Sequence, residues 1–564
     1  MKFDDVLREI GQFGPYQKRI YLLAVFPTAL LAFETLSVVF IFYRQPHRCA
    51  LPDYHGDTYN LQNDTHAMMI NLTIPLTNGQ WDECHVYDNI SYDVDFASNA
   101  SGLTPYVTNG KQQNGRTVDV NTGRSACRHW VYDFSVFETT ATSDFDVVCE
   151  NSVQRAVSNM MAELGTMFGV IVCGFISDRF GRKVPFYVGG LCLVAGGFGI
   201  AFTQTLITFN VCRFIIGIAR ICVFLNGLVI GMELVGPKSR TFAAVAIEIV
   251  WCGGELLLLL FAYFIRNWRW LEIALSIPSI VLLFYWWLIP ESPRWLASRG
   301  REDEAMKVLE RIAKSNNTRL PKIEDAHALL EADTVLSFRN VVRSRELIVR
   351  MLIVFSNLFV IVVVYYGLTL NITNLSGDIF INFTLNVILE AVAYGIPYFL
   401  VDRIGRRPVY CASMILAAWI VVALSMAGRF FGCSAFSIIY LYGPELFPTV
   451  IRSSTMGIGV TFTRIGGIIA PYIADLGILV GGRFQNAIPL LVMGSPALVV
   501  GILSLWLPET KGKRLPETLE DLEEMKRKQG CVCCRDVGPP DVHELEVEVN
   551  RNLTSDKIPH CHKA

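Results

Sequence analysis

Long apolar runs alternate with polar stretches along this chain. The first run is Tyr21 to Tyr43, and it holds a single charge, Glu34. Five more follow near 153–176, 184–206, 208–231, 241–264 and 270–289. A second set of six lies near 351–370, 378–401, 408–427, 429–447, 453–475 and 488–507. A helix needs about 20 apolar residues to cross a bilayer, so each run can span it once. The pattern predicts an all-α membrane protein with twelve spans. It divides the chain into a terminal segment, 1–20, the first span, 21–43, and a polar insert, 44–151. Spans two to six occupy 152–290, a polar loop 291–350, spans seven to twelve 351–507, and a polar tail 508–564. Within the 291–350 loop, Glu302 to Lys314 puts Ala305, Val308, Leu309 and Ile312 on one face. That spacing predicts an amphipathic helix lying against the bundle.

The two sets of spans carry the same polar marks in the same order. Asp178-Arg179-Phe-Gly181-Arg182-Lys183 joins spans two and three, and Asp402-Arg403-Ile-Gly405-Arg406-Arg407 joins spans eight and nine. Charged turns of this kind cannot lie in hydrocarbon and belong on the basic, cytosolic side. Glu233 and Arg240 are seven apart, as are Glu445 and Arg452. Pro290-Glu291-Ser292-Pro293-Arg294 is matched by Pro508-Glu509-Thr510. Three ordered marks indicate a duplicated bundle, which is how many secondary transporters are built. The copies are unequal in length. Lys183 to Glu233 covers 50 positions and Arg407 to Glu445 only 38, so spans nine and ten are expected to be short, tilted or broken. A naturally short hairpin or a shortened splice variant would each produce this.

Four further stretches sharpen the picture: Phe261-Ala-Tyr-Phe-Ile-Arg-Asn-Trp-Arg269, Ile289-Pro-Glu-Ser-Pro-Arg-Trp-Leu296, Tyr366-Gly-Leu-Thr-Leu370 and Glu445-Leu-Phe-Pro-Thr449. With them the chain resembles the major facilitator superfamily, and within it the organic cation/carnitine transporter family of the organic ion solute carriers. The resemblance runs over roughly residues 5–520. It implies a twelve-helix fold of two six-helix pseudo-repeats, with a large glycosylated extracellular loop domain between helices one and two. It also implies alternating access, the halves rocking about a midplane site.

Composition agrees with a polytopic membrane protein: 52% of residues are hydrophobic and 18% charged. The net charge of −2 and the absence of a basic, aromatic-interleaved surface set nucleic-acid binding aside. The insert holds four cysteines, Cys49, Cys84, Cys127 and Cys149, and four sequons, at Asn63, Asn71, Asn89 and Asn99. Sequons with an even cysteine count place it in the lumen or outside the cell, with two disulfides in one of three connectivities. In the tail, Cys531, Cys533, Cys534 and Cys561 favour S-acylation or no role over a metal. No cofactor is implied, and coupling to sodium or protons stays open. Nor does any Ser/His/Asp set, metalloprotease motif or phosphate loop point to an enzyme.

Charges inside spans are functional candidates because they are costly there. The acids are Glu34, Glu163, Glu248, Glu255 and Glu390, and the bases are Arg213, Arg220 and Arg464. Glu248 and Glu255 lie nearly two turns apart, on one face expected to point at the cavity or at Arg220. The resemblance places Glu390 against the central cavity, although Val392 replaces a customary proline. It also makes Arg464 informative: strict cation carriers have an acid there, whereas carnitine and anion carriers have arginine. The fork of an arginine suits a carboxylate. Pairing of Arg464 with Glu390 or Glu34 is the plainer role. The resemblance also implies that Tyr365, Tyr366, Phe224 and Phe436 match or neighbour positions lining the family's cavity, an aromatic host for an ammonium.

The expected substrate is therefore a small organic cation or a zwitterion of the carnitine or betaine type. Its contacts are expected from Arg464, Glu390, Tyr365, Phe224, Arg220, Glu255, Glu34 and Phe436. Alternatives are an organic anion transporter and a non-transporting receptor-like or scaffold protein. Asp178, Arg179 and Arg182 with Asp402, Arg403 and Arg406 are expected to latch the halves on the cytosolic side. Glu233, Arg240, Glu445 and Arg452 would join that network, and Glu291 and Arg294 would anchor the cytosolic helix. The expected location is the plasma membrane. Other than substrate and lipid no partner is implied, and the oligomeric state is open.

Overall fold

Backbone groups in hydrocarbon have no water to bond, so a spanning segment has to satisfy them within itself. The apolar runs accordingly form helices. A computed structural model describes residues 6, 9–11, 13–52, 54, 56–77, 80–87, 123–236, 239–318, 345–374, 377–423, 425–480 and 487–511. In the first half, α1 is Pro15–Leu36, continued after Ser37 as Val38–Ile41. It is followed by α2, Val153–Phe180, α3, Lys183–Ala201, α4, Leu206–Glu233, and α5, Arg240–Phe264. α6, Trp268–Ser279, runs on through Ile280–Phe284 and Tyr285–Leu288. The second half has α7, Arg345–Asn371, α8, Ile379–Ile404, and α9, Arg406–Ala423. It ends with α10, Ser425–Glu445, α11, Thr449–Val480, and α12, Ala487–Leu503.

Among the described residues, ten of these helices are long and apolar enough to cross a membrane; α9 and α10 fall short. They hold 18 and 21 residues, against 19 and 28 in their counterparts α3 and α4. The shortening therefore falls mainly on α10. At ~1.5 Å per residue, α9 is about 27 Å long, slightly less than a ~30 Å hydrocarbon core.

Packing repeats with the sequence marks. α1 packs on α4 and α5, α2 on α4, and α3 on α4 and α6. In the second half α7 packs on α10 and α11, α8 on α10, and α9 on α10 and α12. Adding six to each label of the first set gives the second. The halves meet along two seams, α2 with α11 and α5 with α8, and the same operation exchanges these seams. A pseudo-two-fold axis thus relates the halves.

The insert, between α1 and α2, builds a small unit of its own. Its strands are β1, His47–Cys49, β2, Leu76–Thr77, β3, Gln80–Trp81, β4, His85–Tyr87, β5, Arg124–Ala126, and β6, Trp130–Tyr132. They pair as three antiparallel ribbons, β1 with β6, β2 with β3 and β4 with β5. The structure pairs Cys49 with Cys127 and Cys84 with Cys149. Cys49, Leu51, Met69, Ile70 and Ile74 form a small core, closed on one side by the helix Asp64–Thr73. Beneath that helix, burial alone would raise the Asp57 carboxyl. Hydrogen bonds from Arg48, the Leu51 N–H and His66 instead hold it below its usual range. Asn63 caps the helix and is exposed, as is Asn71. Asn89, Asn99 and the tail cysteines lie outside the described residues.

On the insert face the halves are closed against each other. Phe40 of the first half stacks on Phe380 at 6.0 Å and meets Phe383 at 5.0 Å. The Arg266 guanidinium lies 4.5 Å from the Phe380 ring, and Arg155 of α2 pairs with Asp475 of α11.

On the opposite face the repeated marks do a different job from the expected latch. Glu291 accepts the backbone N–H groups of Arg182 and Lys183 at 2.9 and 3.2 Å, and Ser292 donates to Glu233. In the second half Glu509 accepts those of Arg406 and Arg407, both at 2.9 Å, and Thr510 donates to Glu445. Asp178 pairs with Arg182, and Arg406 with Glu445. Every one of these bonds joins residues of a single half. Each carboxylate caps the open N-terminus of α3 or α9, where bare N–H groups and the helix dipole favour an anion. It enters over Gly181 or Gly405, whose φ values of 96° and 123° exclude most other residues and whose missing Cβ leaves it room. Glu291 thus anchors the α2–α3 turn. The helix Glu302–Ser315, expected to be cytosolic, instead buries Ala305, Val308, Leu309 and Ile312, and the Asn316 just after it bonds to Ile10 and Gln17 near the start of the chain. Asp178 is 76% exposed, Arg179 lies 5.5 Å from the Phe180 ring, and Arg403 is exposed. Arg294 lies near Glu233. The side chains of Arg240, Asp402 and Arg452 fall outside the described set.

Glu291→Ala and Glu509→Ala should each lower the thermal midpoint of the purified protein, by about 1–3 kcal/mol of stability. The two losses should add, since the caps share no partner. An unchanged midpoint in both variants would remove the capping role.

Candidate functional site

The buried charges of the two halves are arranged as matching sets. In the first half, α2 and α4 cross at glycines. A Cβ on Gly165 would collide with the Phe214 carbonyl, and one on Gly217 with the Ala162 carbonyl. Small residues let membrane helices approach closely, and this crossing brings Arg220 onto Glu163. Arg220 donates to Glu163 Oε1 at 2.8 Å, to Thr166 at 2.8 Å and to Thr35 of α1 at 2.9 Å. In the second half, Arg429 of α10 donates to Glu390 of α8 and to Thr369 of α7. Each half therefore holds an acid, an arginine and a threonine on corresponding helices. Glu390 and Arg429 are 0% and 2% exposed. Pairing removes most of the cost of burying either charge.

Glu390 has two further donors, the hydroxyls of Tyr365 at 3.0 Å and Tyr394 at 2.8 Å. Tyr365 in turn stacks on Phe436 at 5.8 Å and meets Tyr366 edge-on at 5.4 Å. Its ring already receives a cation, because the Arg429 guanidinium lies 4.7 Å from the centroid. Phe224 packs on the α1–α5 cluster of Tyr21, Val25, Ala243 and Ile247, and on the larger cluster that includes Tyr365.

The two seams differ in charge. At the α2–α11 seam, Arg464 lies 3.6 Å from Glu163 Oε2, and its Nε has no hydrogen-bond partner. Gly467, almost a turn further on, keeps the approach open: a Cβ there would stand 3.0 Å from the same oxygen. At the α5–α8 seam the contributions from α5 are acidic. Glu248 accepts from Ser437 of α10 at 2.8 Å. Glu255 accepts from Trp251 at 2.8 Å, leaves Oε2 without a partner, and lies within electrostatic reach of Glu390 and Arg429.

Several expectations change. Arg464 meets Glu163, not Glu390 or Glu34, because α11 packs on α2. Glu248 and Glu255 do share a face, but it points at the second half and not at Arg220, because α5 packs on α8. Glu34 is withdrawn from the seam into the first half, beside Arg213 and Glu272. Sequence reasoning missed Arg429 altogether. Its span was placed at 429–447, which puts the arginine at an end; α10 begins at Ser425 and carries it inside. Glu272 was missed for the same reason, near the start of its run. Among the described residues no group of three His, Cys, Asp or Glu side chains could hold a metal ion.

Comparison with known proteins bears on this geometry. Residues 120–522 match the family described as "Sugar (and other) transporter". The chain is 34% identical over 557 residues to the organic cation transporter protein of Drosophila melanogaster, covering 94% of this chain and 96% of that one. It is 31% identical to the human organic cation/carnitine transporter 2, covering 93% and 94%. Among solved structures it resembles the inward-open xylose transporter XylE from E. coli, with a TM-score of 0.51 and 18% identity over 68% of this chain and 93% of that one. This last likeness speaks to the fold alone. The chain belongs to the major facilitator superfamily, in its organic cation/carnitine transporter family. It is a multi-pass membrane transporter and not an enzyme.

Arg429→Ala should destabilise the protein by about 3–5 kcal/mol, because it strands a buried carboxylate. Combining Arg429→Gln with Glu390→Gln should recover much of that loss, since neither charge then remains. Thermal unfolding of the variants in nanodiscs checks this; a single variant as stable as the parent would deny the pair a structural role.

Proposed function

We propose that this protein carries small organic cations and zwitterions of the carnitine or betaine type across the plasma membrane by alternating access. The observation that carries the reading is the charge difference between the seams. A basic group, Arg464, faces one seam with donor capacity to spare, while Glu248 and Glu255 line the other. A zwitterion matches both, its carboxylate at Arg464 and its ammonium at the acids and the Tyr365–Phe436–Tyr366 aromatics. The names of the relatives, organic cation and organic cation/carnitine transporters, point to the same substrate class.

The closed insert face supplies the moving part. With that face outside the cell, the structure is closed to the exterior. Exposing the seams outward requires the Phe40–Phe380 stack and the Arg155–Asp475 pair to part. The Glu163–Arg464 contact lies between the same two helices and is strained or broken by the same rotation.

The test is uptake of labelled carnitine and of tetraethylammonium in cells expressing the chain, beside an Arg464→Asp variant. Losing a charge-assisted hydrogen bond of about 1.5–3 kcal/mol should lower carnitine uptake roughly 10- to 100-fold. Tetraethylammonium uptake, which needs no such fork, should be kept or raised. Equal loss of both would assign Arg464 to the scaffold. No uptake of either by parent protein at the cell surface would overturn the carrier reading and direct attention to the short α9–α10 hairpin.

A further inference from the structure

We infer that the closed mouth on the insert face is a second cation site, filled by Arg266 while the mouth is shut and by an apolar quaternary ammonium once it parts. The site is an aromatic cage at the outer end of the α5–α8 seam. Arg266 lies in the turn between α5 and α6. Its guanidinium stands 4.5 Å from the Phe380 ring, 5.0 Å from Tyr263 and 5.9 Å from Phe137. At such distances a ring face attracts a cation. Nε donates to the Tyr263 carbonyl at 2.7 Å and Nη1 to the Val136 carbonyl at 2.9 Å. Arg269, three residues on, pairs with Asp144, whereas no carboxylate among the described residues pairs with Arg266. Its charge is met by rings and neutral carbonyls. A host of that kind suits cations that are weakly hydrated, and an ammonium wrapped in alkyl groups is one.

The rings are divided between the halves. Phe40, Tyr43, Phe137 and Tyr263 belong to the first half and its insert, Phe380 and Phe383 to α8. Besides stacking on Phe40, Phe380 meets Tyr263 at 5.5 Å and Phe137 at 5.7 Å, and Tyr43 backs Phe137 at 5.1 Å. The first-half wall is tied together as one piece. The Glu138 N–H donates to the Arg266 carbonyl at 3.1 Å, Gln45 to the Phe137 carbonyl at 2.9 Å, and the Trp268 indole to Asp144 at 2.9 Å. Arg266 therefore travels with the insert, α5 and α6. When α8 swings away, Phe380 loses its cation, because the guanidinium is bonded to Val136 and Tyr263 on the other wall. A ring face that was turned to a cation is then turned to water. Asp378, exposed and capping the start of α8 two residues before Phe380, adds a negative charge on the same side. An ammonium from solution takes the place that Arg266 left against Phe380 and Phe383. A small one passes inward to the seams. One whose alkyl arms fill the cage stays and keeps the walls apart. Such a ligand binds only the parted mouth, so its apparent affinity falls with the fraction of molecules that are shut. Arg266 is its tethered rival.

The cage stands on its own geometry; arrival of the occupant from outside the cell rests on the carrier reading above. The first measurement is therefore equilibrium binding of labelled tetrapentylammonium to the full-length protein in nanodiscs. Phe380→Ala should weaken it roughly 2- to 30-fold, Phe380→Trp should keep it, and Arg266→Gln should tighten it by a similar factor. A variant that is merely damaged loses binding, so the gain with Arg266→Gln is the telling direction. Weaker or unchanged binding in that variant, with its thermal midpoint intact, overturns the rivalry. Where Arg266→Gln does not fold, Phe380→Ala beside Phe380→Trp still decides. Absence of saturable binding overturns the site, as does binding unmoved by Phe380→Ala and weakened by Glu255→Gln. The second measurement is inhibition of tetraethylammonium uptake by tetrapentylammonium added outside cells expressing the chain. Phe380→Ala should raise the half-inhibiting concentration by the same factor as it weakens binding. Equal potency on parent and variant overturns the external role. Cells that take up no tetraethylammonium, beside binding that follows Phe380 and Arg266 as described, refute the carrier reading and leave the cage standing.

Discussion

A charge buried in hydrocarbon has to find its opposite, and in this chain the opposites come from different helices. Glu163 ties α2 to α4 through Arg220 and to α11 through Arg464. Glu390 ties α8 to α10 through Arg429. Arg155 and Asp475 tie α2 to α11 again, nearer the insert. These ties lie on the helix contacts that define the architecture, so electrostatics and packing specify the same arrangement. Each pair inside one half holds the bundle together through any rocking motion. A pair across a seam can persist only while that seam is shut. Glu390–Arg429 and Glu163–Arg220 lie within a half, Glu163–Arg464 and Arg155–Asp475 across a seam, and in the proposed carrier cycle only the second kind would have to break.

Duplication explains what the halves share and makes their differences meaningful. Glu291 and Glu509 cap the same helix start over glycines of positive φ, and the acid–arginine–threonine sets fall on corresponding helices. Besides the shorter α10, the copies diverge at the seams. α11 brings an arginine to its seam, whereas α5, its counterpart, brings two acids. A symmetric pair of seams would suit a symmetric ligand. Under the proposed carrier reading, this pair would offer opposite charges on two sides of one interface, the complement of a molecule with separated charges.

The amphipathic helix Glu302–Ser315 and the helical, two-fold-repeated class were legible in the chain, because hydrophobic periodicity and ordered polar marks are local properties. So was the shortage around α9 and α10, since a span has a minimum length that can be counted. The candidate site was legible only as an inventory. The acids and arginines could be named, yet Arg464 was given the wrong partners, Glu34 the wrong neighbourhood, and Arg429 was overlooked at a span boundary misplaced by four residues. A boundary error of that size is harmless for an alanine and decisive for an arginine, because it moves a charge from the interface into the core.

What the sequence alone determined follows from solvent. Hydrocarbon admits helices and rejects lone charges, so the spans, the turns and the list of costly residues can be read one segment at a time. What the tertiary structure decided is which costly residue compensates which. The described side chains of the turns expected to latch one half to the other bond within a half, and the helix starts in those turns are capped by Glu291 and Glu509, because a carboxylate there finds bare N–H groups close by. The pairing of Arg464 with Glu163, and the withdrawal of Glu34 beside Glu272, depend on which helix packs against which. That is a property of the whole bundle, and no single segment records it.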